Sequence, residues 1–265
     1  MDVDLTLKIQ RPTRDASGNA IWQSSGALDG VPSGSRAELP MRFRHIALFL
    51  LGSTVSGCLI AILTGVLAYG LTQSKFVAAA VGGLSLYAAL IVGYRWTAKE
   101  RDWIDLRTRF APVGRTPLLI GALTAPALIA VTTVLGFILK AIGINMKDIP
   151  DPSILPHHWV QLPFALLLIV IVAPICEELI FRGLLLDWLR QKMNVWIAAI
   201  ILSVIFSLLH LNPFSLGAVG WLAFLDRFLI GIGASALAIN YRSLWPSFTL
   251  HATVNAIACI AAMVE

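Results

Sequence analysis

The stretch "IVAPICEELIFRGLLL", Ile171–Leu186, sets two adjacent carboxylates, Glu177 and Glu178, and one guanidinium, Arg182, inside an apolar run. No other charged residue lies between Asp151 and Glu177. With its flank from about Val160 the run reaches the roughly 20 apolar residues that a membrane helix needs. An ionisable side chain at the centre of such a helix costs about 2.5 to 3.5 kcal/mol, so each one in it is a candidate for function. The reading of this stretch therefore decides both the fold class and where to look for a site.

Composition agrees with a membrane setting. The 265 residues are 57% hydrophobic and 13% charged, with a mean hydropathy of +0.79. Soluble domains carry about 25% charged residues. The expectation is an all-α, polytopic membrane bundle of about seven to eight helices around an intramembrane polar cavity. Seven stretches reach or approach spanning length: 46–72, 76–94, 117–142, one from about 160 that holds the glutamates, 195–211, 217–239 and 245–264. Residues 1–44 carry Asp, Lys, Arg, Gly, Ser and Pro with no apolar core segment, and read as a flexible polar cytoplasmic tail. Residues 45–265 read as the membrane domain, with its motif-bearing core at about 160–265. Cys58, Cys176 and Cys259 match no zinc or disulfide spacing and read as small buried residues.

Charge sets the expected orientation. With the N-terminus in the cytoplasm, fifteen Lys and Arg fall on the cytoplasmic side and three, Lys75, Lys140 and Lys147, on the other. The positive-inside rule then favours N-in. The net charge of +5 flanks membrane spans, so topology explains it and nucleic acid is not an expected partner.

The intramembrane polar residues form a short set: Glu177, Glu178, Arg182, His210, Asp226, Arg227, His251 and Asn255. Spacing orders them. Glu178 and Arg182 are four apart, share a helix face and can neutralise each other. That leaves Glu177, about 100° around the helix, in need of another partner. His251 and Asn255 repeat the spacing, as do Phe206 and His210. Singly, each reads as well as packing or interface. Glu177 is 16 residues before Met193 and His210 is 17 after it, so a tight helical hairpin sets them level. His251 reaches that level if the hairpin "LLLDWLRQKMNV" projects into the cytoplasm, for which Asp187, Arg190, Gln191 and Lys192 are suited. Together the set supports peptide hydrolysis. Glu177 can take a proton from water. His210 and His251 can orient that water or hold a divalent metal such as zinc. Asn255 can donate to the oxyanion. Asp226 and Arg227 read as structural.

These residues resemble a known family. "EELIFR" (Glu177–Arg182), "FSLLH" (Phe206–His210) and "HATVN" (His251–Asn255) are similar, in family order, to the EExxxR, FxxxH and HxxxN motifs of the CPBP intramembrane endopeptidases, the CAAX prenyl protease and bacterial Abi family of the Rce1 type. The approach "YRSLWPSFTLHATVN" is similar too. The resemblance covers about a third of the chain. It implies a glutamate-dependent endopeptidase, with water activation by Glu177, support from Glu178 and Arg182, and the remaining catalytic roles on His210, His251 and Asn255. The family is commonly called metalloprotease, though neither HExxH nor a third clear ligand stands here. The expected substrate is a membrane-associated peptide or protein, the expected place a bacterial inner membrane. Two rival readings remain at this point: a non-catalytic immunity or adaptor protein, and a proton-coupled transporter.

Overall fold

The computed structural model describes residues 13–14, 20–21, 43–100, 106–144, 156, 158–211 and 217–264. Most of the expected 1–44 tail lies outside them. Within it, β1 (Thr13–Arg14) and β2 (Ala20–Ile21) pair antiparallel, Thr13 opposite Ile21 and Arg14 opposite Ala20. The other elements among the described residues are helices: α1 (Phe43–Thr72), α2 (Lys75–Glu100), the short α3 (Leu106–Arg109), α4 (Arg115–Ala141), α5 (Leu162–Leu189), α6 (Val195–Leu209), α7 (Ala218–Tyr241) and α8 (Trp245–Ala262).

The seven long helices fall on the seven apolar stretches. Five of them, α1, α2, α4, α5 and α7, are long and apolar enough to cross a membrane. The other two differ for separate reasons. α6 has 15 residues, about 22 Å at 1.5 Å per residue, against a hydrocarbon core of about 30 Å. α8 has 18 residues, and Ser247, Thr249, His251 and Asn255 break up its apolar character.

α5 is the centre of the bundle. Inside the protein it has 44% of its most apolar window buried, against 17% for α1, α2 and α4. Phe76 and Ala80 of α2 pack on Ala165 and Leu168 of α5 and on Cys259 of α8. Phe181 and Leu186 of α5 pack on Ala198, Ala199, Leu202 and Phe206 of α6. Ala125, Ile230, Leu237, Leu250 and Val254 join α4, α7 and α8. The outer faces of α1 and α4 keep Leu48, Leu59, Leu63, Leu123 and Phe137 exposed, as lipid-facing helices do. Small residues allow the close crossings that membrane helices use in place of hydrophobic drive. A Cβ on Gly82 of α2 would sit 2.9 Å from the Ala61 carbonyl of α1.

α5 is not a uniform α-helix. Leu166–Val172 and Leu179–Leu185 are π-helical and flank the α-helical Ala173–Glu178. Pro174 gives a cause for the first. It has no N–H and its ring crowds the preceding turn, so the ladder widens there. Ala173 N–H consequently donates to Leu168 O, five residues back. The π partner of Ile169 O would be Pro174, which has no hydrogen to give. That carbonyl is taken by Asn255 Nδ2 of α8 at 2.8 Å.

The α5–α6 hairpin departs from expectation at Asp187. It is buried, with 6% of its surface accessible, and pairs with Arg109 of α3 and with Arg190 at 2.9 Å. Arg190, Gln191 and Lys192 are exposed. The same short segment receives the α7–α8 turn. Leu244 N–H donates to Arg109 O at 2.9 Å, Trp245 Nε1 to Phe110 O at 3.0 Å and Ser243 Oγ to Ala111 O at 2.8 Å.

Candidate active site

α5 places its two glutamates in two environments. Glu178 is fully buried. Arg182, four residues on and also buried, donates from Nη1 to Glu178 Oε1 at 2.9 Å and from Nη2 to Gly231 O of α7 at 3.1 Å. That second bond requires a close crossing. A Cβ on Gly231 would sit 2.9 Å from both Cβ and Oγ of Ser203 on α6. The guanidinium also lies over the rings of Phe206, at 4.9 Å, and Phe181, at 5.7 Å, a cation–π setting that helps a charge in an apolar interior. Glu178 has a role that spacing along one helix does not show. Its Oε1 lies 3.0 Å from His251 Nδ1 of α8.

Glu177 points elsewhere. Its side chain is 15% exposed. Oε1 accepts from Tyr87 Oη of α2 at 2.9 Å. Oε2 lies 3.6 Å from His210 Nε2 and 3.7 Å from His251 Nε2. His210 caps the C-terminus of α6, with its Nδ1 2.7 Å from Phe206 O and its ring centroid 4.3 Å from that of Phe206.

The hydrogen-bond network assigns the tautomers. A carbonyl only accepts, so His210 Nδ1 carries its hydrogen towards Phe206 O, and Nε2 of the neutral ring presents a lone pair. Glu178 Oε1, already taking Arg182, accepts from His251 Nδ1 in the same way. With both rings neutral, three acceptors converge: Glu177 Oε2 and two imidazole Nε2. Their separations exceed a direct hydrogen bond. They suit a small molecule that lies off the line and contacts more than one of them.

Of the residues singled out in the sequence, Glu177, Glu178, Arg182, His210 and His251 meet in one cluster. Asn255 is one turn beyond His251 and donates to Ile169 O. Asp226 and Arg227 pair with each other, and Thr132 Oγ1 of α4 donates to Asp226 Oδ1 at 3.2 Å, a tie between α4 and α7. Sequence reasoning missed Tyr87. It is one of two tyrosines in an apolar helix, and its contact is 90 residues away.

The family model of the Rce1-like proteins, type II CAAX prenyl endopeptidases, matches residues 159–257. Comparison with curated proteins and with solved structures finds no match. The matched segment holds all three motifs and every polar group of the cluster except Tyr87, which α2 brings in from outside. The matching model describes CAAX-type endopeptidases, and with five apolar helices of spanning length the chain is an integral membrane protein. Residues 159–257 are thus similar to the Rce1-like family, the one whose motifs the sequence resembles.

Proposed function

We propose that this chain is a glutamate-dependent intramembrane endopeptidase that hydrolyses a membrane-associated peptide or protein. One observation carries the reading: Glu177 Oε2 faces two imidazole nitrogens, at 3.6 and 3.7 Å, within an apolar bundle. In this reading Glu177 Oε2 takes a proton from water as the oxygen attacks the peptide carbonyl. The water's other hydrogen goes to Nε2 of His210 or of His251, which orients it. Glu178 and Arg182 hold the His251 ring. Asn255 keeps one Nδ2 hydrogen on Ile169 O, and the other is the donor we assign to the tetrahedral oxyanion. Glu177 then returns the proton to the leaving amine, which yields one new carboxyl and one new amino terminus.

A divalent metal such as zinc would take His210 and His251 as ligands and, when bound, would polarise the carbonyl. Catalytic zinc sites have three protein ligands. Among the described residues no group of three or more His, Cys, Asp or Glu is arranged to hold a metal ion. No step above runs through a metal.

Location enters the proposal as well: a bacterial inner membrane with the N-terminus cytoplasmic. The excess of fifteen cationic residues over three supports that orientation. The experiment is digestion of a lipidated or hydrophobic peptide by purified protein in detergent, with products read by mass spectrometry. Two fragments that sum to the peptide plus one water are expected. An intact peptide, together with solute accumulation by the same protein in liposomes, would replace the enzyme by a transporter.

A further inference from the structure

Tyr87 stands outside the three motifs and outside the matched residues 159–257. It is nonetheless tied to the candidate base. Its Oη donates to Glu177 Oε1 at 2.9 Å, and its carbonyl receives Cys176 Sγ at 3.7 Å. The residue thus contacts two consecutive positions of α5. The face of α2 that carries it is a packed one. Phe76 and Ala80 seat against Ala165 and Leu168, and Leu84 and Tyr87 extend the same cluster. At Gly83 a Cβ would come within 3.0 Å of the Leu168 side chain, so α2 lies close along α5 there.

We propose that Tyr87 is a positioning residue for the base, holding Glu177 Oε1 so that Oε2 alone is presented to His210 and His251. A glutamate side chain has three rotatable bonds and two equivalent oxygens. Glu177 Oε2 has no hydrogen-bond partner among the described residues, so the contact with Tyr87 is what fixes the carboxylate plane. The proposal rests on the reading of Glu177 as the base.

Tyr87→Phe keeps the ring and removes only the donor. The expected result is a kcat lower by about ten- to a hundredfold, the scale on which a misplaced reacting group costs rate, with KM changed little. Placed on Glu177→Gln, Tyr87→Phe is expected to cause no further loss. A readout without substrate is the infrared carboxylate band that Glu177→Gln abolishes, which should move in Tyr87→Phe while the melting temperature holds. If Glu177→Gln cleaves at the wild-type rate, the base assignment falls. If Glu177→Gln is inactive while Tyr87→Phe retains both the wild-type kcat and the wild-type band, Tyr87 alone is wrongly assigned. Additive losses in the double variant, with a lowered melting temperature, would reduce Tyr87 to packing.

Discussion

Adjacent glutamates on one helix diverge by about 100°, and here that angle separates two tasks. Glu178 faces Arg182 and His251, while Glu177 faces Tyr87 and the two imidazole Nε2 atoms. The imidazoles are oriented from behind, one by a backbone carbonyl and one by a carboxylate, so both present Nε2 towards the same oxygen. The consequence for metal is testable. Dialysis of the purified protein against a strong chelator is expected to leave the cleavage rate unchanged. Loss of activity that zinc restores would reassign His210 and His251 as ligands. Charge within apolar runs, together with the i, i+4 spacings, was enough to pick out Glu177, Glu178, Arg182, His210 and His251 in the sequence. The Glu178–His251 contact was not legible, because it joins helices 73 residues apart and no spacing within either one encodes it. Tyr87 was hidden for the same reason.

Helix α5, which bears both glutamates, is disturbed at Pro174. The widened turn before Pro174 leaves Ile169 O without a donor in its own helix, and Asn255 fills the gap from α8. Asn255 therefore ties the helix that bears His251 to the one that bears Glu177. Asn255→Leu buries that carbonyl without a partner, at a cost of about 1 to 3 kcal/mol. Its melting temperature in detergent is expected to fall. Pro174→Ala restores an N–H to α5 and is expected to recover part of that loss. No recovery would mean that the carbonyl is not what Asn255 serves. Helix positions were legible from apolar run length, within a few residues at most ends, though α2 runs on to Glu100 past the expected 94 and the end of α5 was left open. The π segments were not, since "LLLIVIV" is apolar on every face and "LIFRGLL" has Arg182 as its one polar residue, which leaves periodicity too little to measure.

Across the whole molecule, charge gathers where the expected cytoplasmic segments meet. Arg109 of α3, Asp187 and Arg190 of the α5–α6 hairpin, and the α7–α8 turn at Ser243–Leu244 bond to one another. Asp187 read as a solvated loop residue in the sequence. It is buried because α3, a four-residue helix too short to recognise from pattern, brings Arg109 onto it. Exposed Gln191 reports the side on which this junction lies. With Cys58, Cys176 and Cys259 replaced by alanine, Gln191→Cys is expected to react with a membrane-impermeant maleimide only after the cells are opened. Labelling of intact cells would invert the topology. Water activation by Glu177 for peptide hydrolysis is tested by single-turnover cleavage of a membrane-associated peptide by wild type and Glu177→Gln at equal folded concentration. Fragments are expected from the wild type, with a rate lower by about 10²- to 10⁴-fold in the variant, the usual contribution of a general base. Equal rates from the two proteins would contradict it.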